Sequence, residues 1–133
     1  MRNFEIDSSE ILKPQDWAFP VPISYGPGRL CEIGKFFESL KIKNPLIVTD
    51  SGSKKLPFIE KLKRFLNQSN IGSDLFFEIS PNPRDDEIAN GSSRFRAGKH
   101  DSIITIGGGS AMDGGKAICL TSNNDIPFWD FEF

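Results

Sequence analysis

Ile103-Ile104-Thr105-Ile106-Gly107-Gly108-Gly109-Ser110-Ala111-Met112-Asp113-Gly114-Gly115-Lys116 is the stretch on which the fold turns. Its apolar, β-branched start suits a strand buried on both faces of a parallel sheet. Three glycines follow, and without Cβ atoms their backbone N–H groups can come close to a ligand. Ser110 stands where a helix N-cap belongs, and Asp113, three residues on, has the spacing of a capping box. Strand, glycine turn and helix in that order offer free amides and the positive end of a helix dipole, a setting for phosphate or pyrophosphate. A glycine triplet after a strand is also a common tight turn, so the segment alone supports both readings.

The rest of the chain repeats the alternation. Pro45-Leu46-Ile47-Val48-Thr49-Asp50 reads as a second doubly buried strand, and Leu75-Phe76-Phe77-Glu78-Ile79 is the next strand candidate, stopped by Pro81-Asn82-Pro83. Helical spacing of apolar residues marks Arg29–Leu40 (Leu30, Ile33, Phe36, Phe37, Leu40) and Pro57–Leu66 (Phe58, Ile59, Leu62, Phe65, Leu66). Pro57 fits a helix start. Asp85–Ala97 reads as a polar helix, and a last helix runs from about Ala111 to Leu120. Before these, Ile23–Gly26 is a short extended piece ended by the turn Gly26-Pro27-Gly28, and Pro14, Pro20 and Pro22 break any long element. Strands alternating with helices imply βαβ units, hence an α/β fold with a parallel sheet and helices on both faces. The expected organisation is an extension over residues 1–20 and one α/β domain over 21–133.

Composition narrows the function. With 133 residues, 16 basic against 18 acidic side chains and a net charge of −2, the chain can bury one core and carries no electrostatic footprint for nucleic acid or an anionic membrane. No apolar run approaches membrane-spanning length and no signal-peptide pattern opens the chain, so a cytoplasmic protein is expected. Cys31 and Cys119 fall on apolar helical stripes and read as core. His100 is the one histidine; it falls on a polar loop and is expected in solvent. One His and two separated Cys are too few soft ligands for a zinc site. Asp85-Asp86-Glu87 reads as a solvated charge cluster.

Two familiar phosphate patterns fail at the glycine turn. A G-x-G-x-x-G reading from Gly107 ends on Met112, and a P-loop ending at Gly115-Lys116 meets Ser110 and Ala117 where glycine and a hydroxyl residue are required. The run Gly107-Gly108-Gly109-Ser110-x-x-Asp113-x-x-Lys116-Ala117 instead resembles the GGGS-x-x-D-x-x-K-A signature of the iron-containing (group III) alcohol dehydrogenases. The Gly26-Pro27-Gly28 turn, the strand ending Val48-Thr49-Asp50, the Pro81-Asn82-Pro83 turn and His100-Asp101 fall in the family's order. Ser51-Gly52-Ser53-Lys54-Lys55 and Trp129-Asp130-Phe131 look most like the butanol dehydrogenase branch. The resemblance runs from about Phe19 to Phe131. Glycerol dehydrogenase and dehydroquinate synthase have a similar glycine turn, but the Trp129-Asp130-Phe131 ending argues against them.

The resemblance implies a Rossmann-like N-terminal domain that binds NAD(H) or NADP(H). Gly107, Gly108, Gly109 and Ser110 would cradle the pyrophosphate, with Asp113 close by and Asn82 near the cofactor. Asp50 stands where an acid meets the adenosine ribose, which favours NAD over NADP; an acid ending a strand can equally cap the next turn. Asp113 can likewise be no more than a cap. The family's Fe²⁺ or Zn²⁺ is held by an aspartate and three histidines of a C-terminal all-helical domain, and that domain is expected to be lacking here. The resemblance therefore implies the cofactor-binding portion of an alcohol dehydrogenase or aldehyde reductase, inactive alone, with no catalytic residue or metal ligand of its own. The competing reading is a non-catalytic nucleotide-binding or interaction module. Family members dimerise through an N-terminal strand, which would fall near residues 22–25. Phe128, Trp129, Phe131 and Phe133 crowd the last six positions and are expected to bury against another chain or to stay poorly ordered.

Overall fold

A computed structural model describes residues 13–18 and 20–131. Three parallel strands form the centre: β3 (Pro45–Asp50), flanked by β4 (Asp74–Ile79) on one side and β5 (Ser102–Thr105) on the other. Before them, β1 (Gln15–Ala18) and β2 (Pro22–Tyr25) pair as an antiparallel hairpin. A 3-10 turn at Arg29–Glu32 then leads into α1 (Ile33–Ser39), and the longer helices are α2 (Pro57–Gln68), α3 (Asp85–Ala97) and α4 (Gly109–Ser122).

Alternation along the strands sorts side chains between two cores, except that an irregularity in the pairing of β4 with Val48–Asp50 brings Phe76 and Ile79, three residues apart, to one face. Leu46 and Val48 of β3, Phe76 and Ile79 of β4 and Ile103 of β5 face Ile88 and Phe95 of α3 and Ile118 of α4. Ile47 and, less deeply, Leu75 and Ile104 face the other way, onto Phe37 of α1 and Leu62 and Leu66 of α2. Leu46, Ile47 and Val48 have no exposed surface; burial of each side chain is worth about 1.5–3 kcal/mol. The chain leaves β3 through α2 to reach β4, then crosses back through α3 to β5 on the far side of β3. Opposite crossings put the helices on opposite faces, giving the expected α/β sandwich with its switch point between the carboxyl ends of β3 and β5.

Arg29, mostly buried, ties the hairpin to this body. Its guanidinium donates to Asp16 at 2.7 Å and to the Gln15 carbonyl at 2.9 Å, while Glu32 accepts two bonds at 2.8 and 3.0 Å. The hairpin thus joins residues 15–18 of the expected extension to residues 22–25. No helix among the described residues is long and apolar enough to cross a membrane.

Several expectations for single residues are corrected here. Cys31 and Cys119 are exposed. The helix expected over Arg29–Leu40 is a 3-10 turn followed by seven α-helical residues, and Phe36 and Leu40 of the expected buried stripe are 58% and 54% exposed. His100 is buried rather than solvated: its ring lies under Gly98, and Nδ1 donates to the Asn44 carbonyl at 3.0 Å. Of the acidic cluster, Glu87 is buried. Residues 128–131 form a 3-10 turn in which Phe128 packs on the chain's own core. Trp129 is exposed and donates to Asp85 at 3.3 Å; Phe133 lies outside the described residues.

Candidate functional site

Three loops meet at the carboxyl edge of the sheet. After β3, Asp50 starts the turn Ser51-Gly52-Ser53, its Oδ1 accepting the Gly52 and Ser53 amides at 3.0 and 2.9 Å. The turn-capping role left open for Asp50 is thus present. Hydrogen bonding by the Ser53 side chain, aided by these amides and opposed by burial, holds the Asp50 carboxyl below the usual carboxylate range. After β4 comes Ser80 and the Pro81-Asn82-Pro83 turn, joined to the first loop by the Ser51 amide donating to the Ile79 carbonyl at 3.1 Å. After β5 comes Gly107-Gly108-Gly109.

The glycines of the third loop are glycines for different reasons. Gly107 has φ +139°, and a Cβ there would stand 2.9 Å from Ala111 Cβ and 3.0 Å from Asp50 Oδ2. It is required by backbone and packing together. Gly108 is extended with φ −81°, a conformation open to any residue, and Gly109 opens α4. A Cβ on either would meet nothing within 4 Å. No internal contact requires them to be glycine, and their backbone faces open space.

Gly108 is the N-cap, with no side chain capping the helix. Ser110 therefore lies inside α4 and is not its cap; its hydroxyl donates instead to the Pro81 carbonyl at 2.6 Å, joining the glycine loop to the Pro-Asn-Pro turn. Asp113 makes no capping box either. It is exposed, one turn further on, and 4.0 Å from Lys116. The first amides of α4 lack intrahelical acceptors by helix geometry, and the dipole makes this end attractive to anions. Ser53, Leu56, Phe58 and Ile106 line a concave surface beside Gly107 and Gly108, an apolar neighbour for whatever sits on the loop.

The structure thus brings Asp50, Asn82, Gly107, Gly108, Gly109 and Ser110 to one edge, with Asp113 further along α4. Sequence reading missed Glu87 beneath the Pro-Asn-Pro turn; the signal was its place as the third residue of α3, where a carboxylate can bond back to the preceding amides. Among the described residues, no three His, Cys, Asp or Glu side chains gather closely enough to hold a metal ion. His100 lies at the opposite edge of the sheet with Nδ1 engaged. These residues do not fit a catalytic metal.

Comparison with known proteins gives the same picture. The iron-containing alcohol dehydrogenase family matches over residues 20–132. Alcohol dehydrogenase 4 of Schizosaccharomyces pombe is 35% identical over 125 residues, covering 94% of this chain and 30% of that protein. The crystal structure of a 1,3-propanediol oxidoreductase superposes with a TM-score of 0.78 at 30% identity, over 81% of this chain and 28% of the other. A sulfoacetaldehyde reductase from Bifidobacterium kashiwanohense, solved in complex with NAD+, gives 0.66 at 29% identity, over 80% and 28%. The chain spans about 30% of the length of the curated relatives it matches. On sequence and fold together, it belongs to the iron-containing alcohol dehydrogenase family.

Proposed function

We propose that this chain is the dinucleotide-binding portion of a metal-dependent alcohol dehydrogenase or aldehyde reductase, taking NAD(H) in preference to NADP(H). One observation carries the reading: Gly108 and Gly109 have neither a backbone nor a packing reason to be glycine, and both face open space at a helix N-terminus. An anion resting on that backbone gives them a reason. A relative of similar fold was solved with NAD+, which agrees with this assignment.

In this reading the amides of Gly108, Gly109 and Ser110 donate to the pyrophosphate, and Gly107 lets the loop pass over Asp50. Asp50 has one oxygen committed to its turn. The other, beside Gly107, is placed to accept from an adenosine ribose hydroxyl and would repel a 2′-phosphate. Asn82 forms the neighbouring wall, and Asp113 lies one turn along α4. The bound nicotinamide would supply hydride transfer to an aldehyde, or accept hydride from an alcohol. A metal polarising the substrate oxygen would need ligands that these residues do not provide. Isothermal titration with NADH, NADPH and ADP-ribose tests the assignment. NADH and ADP-ribose should bind and NADPH more weakly; no heat from any of the three would refute it.

A further inference from the structure

Glu87 stands apart from its two acidic neighbours. Asp86 pairs with the exposed Arg84 guanidinium, and Asp85 accepts the Asp86 amide and the Trp129 indole N–H. Glu87 is only 8% exposed. Its Oε2 accepts the Ser80 amide at 3.2 Å and the Arg84 amide at 3.1 Å, and lies 3.1 Å from the Ser80 hydroxyl, whose one proton it shares with the Asn82 carbonyl. Those donors bracket the Pro81-Asn82-Pro83 turn from both ends. Burial pushes the Glu87 carboxyl up, but the Ser80 and Arg84 amides outweigh it and hold the group below its ordinary value.

The bracket matters because the turn can do little to hold itself. Pro81 and Pro83 have no N–H, so Asn82 carries the one amide between Ser80 and Arg84. The Ser80 hydroxyl also reaches the Asn82 carbonyl at 2.8 Å. The Pro81 carbonyl then takes the Ser110 hydroxyl at 2.6 Å. This commits the hydroxyl and leaves the Ser110 amide as the group available to an anion.

We propose that Glu87 is a positioning residue for the dinucleotide site: by bracketing residues 80–84 it fixes the Pro81 carbonyl, and through it Ser110 in the first turn of α4. The inference rests on the dinucleotide reading above for its consequence, though not for its geometry. Glu87 reaches the site only through the turn.

The test combines NADH affinity with the amide chemical shifts of Gly109 and Ser110, in the wild type, Glu87→Ala, Glu87→Gln, Ser110→Ala and the Glu87→Ala/Ser110→Ala double variant. Glu87→Ala should weaken NADH binding about tenfold, the scale of lost outer-shell support, and move both amide resonances in the free chain. Glu87→Gln keeps an acceptor of the same length and should recover most of the affinity. In the Ser110→Ala background, Glu87→Ala should add little, since the two act through one contact. Equal affinity in wild type and Glu87→Ala, or an undiminished effect in the Ser110→Ala background, would overturn the proposal. If Glu87→Ala does not fold, Glu87→Asp, which keeps the charge but shortens the reach to the Ser80 and Arg84 amides, is read in the same way. If the wild type binds no dinucleotide, the functional reading fails, and the amide resonances of the free chain still decide the coupling: a shift at Gly109 and Ser110 in Glu87→Ala supports it, unmoved resonances overturn it.

Discussion

Asp50 and Gly107 fit against each other: a Cβ on Gly107 would stand 3.0 Å from Asp50 Oδ2, so the carboxylate occupies the room that the missing side chain leaves. The end of one strand and the start of the glycine loop thus depend on one another. Gly108 and Gly109 have no such counterpart.

That contrast separates structural from functional glycines. Gly107→Ala should destabilise the fold by about 1–3 kcal/mol, from its positive φ and the crowding with Ala111 and Asp50. Gly109→Ala should leave stability unchanged or raise it by up to about 1 kcal/mol, because alanine is the better helix former. It should nevertheless weaken NADH binding by about tenfold, equivalent to about 1.4 kcal/mol. Urea unfolding and titration calorimetry on the same samples check both. Loss of stability in Gly109→Ala would mean that Gly109 is structural after all.

His100 supplies the opposite contrast. It is buried at the amino edge of the sheet, with its ring near Phe95 and under Gly98, and its Nδ1 bonded to Asn44. His100→Ala should cost about 2–4 kcal/mol, from the cavity, the Asn44 carbonyl keeping the Asp101 amide as a donor, while leaving NADH affinity unchanged in the folded fraction. Thermal unfolding with parallel titration checks this; a large affinity loss in a fully folded variant would place His100 in the site.

These cases mark how far the sequence could be read. The apolar runs at residues 45–50 and 102–106 announced the parallel strands; the first is buried on both faces, as its few polar residues suggest, whereas the second lies at the sheet edge and is only half-buried. The glycine turn announced the site. Ser110 was legible as a polar residue at a helix start, but not as a partner of Pro81, which lies 29 positions away and comes near only through the sheet. His100 looks solvated beside Lys99 and Asp101; its burial is decided by Asn44 on another strand. Glu87 was masked by two exposed acids, since only the third residue of the helix can turn back under the loop. Local chemistry was readable, and long-range hydrogen-bond partners were not.

Acid stability should follow the carboxylates that the fold holds ionised. Asp50 is lowered chiefly by Ser53. In Asp101 burial acts upward, and the Lys43 and Asn44 amides outweigh it. A carboxyl with a folded pKa below its unfolded one binds fewer protons folded than unfolded between those values. Its stabilisation is therefore complete above the unfolded pKa of about 4 and is lost as pH falls toward the folded one. Asp101→Asn keeps an acceptor for the two amides and removes the charge. Its unfolding free energy should fall less steeply below about pH 4 than that of the wild type; parallel curves would show that Asp101 does not contribute.

The most direct test of the central claim is amide chemical-shift mapping of the chain during titration with NADH. The largest perturbations should fall on Gly108, Gly109 and Ser110, with smaller ones at Asn82 and in the turn after Asp50. A binding isotherm whose shifts instead centre on the groove between α3 and α4, around Ser92, Thr121 and Ile126, or no shifts at saturating NADH, would contradict the assignment of the glycine loop as a dinucleotide site.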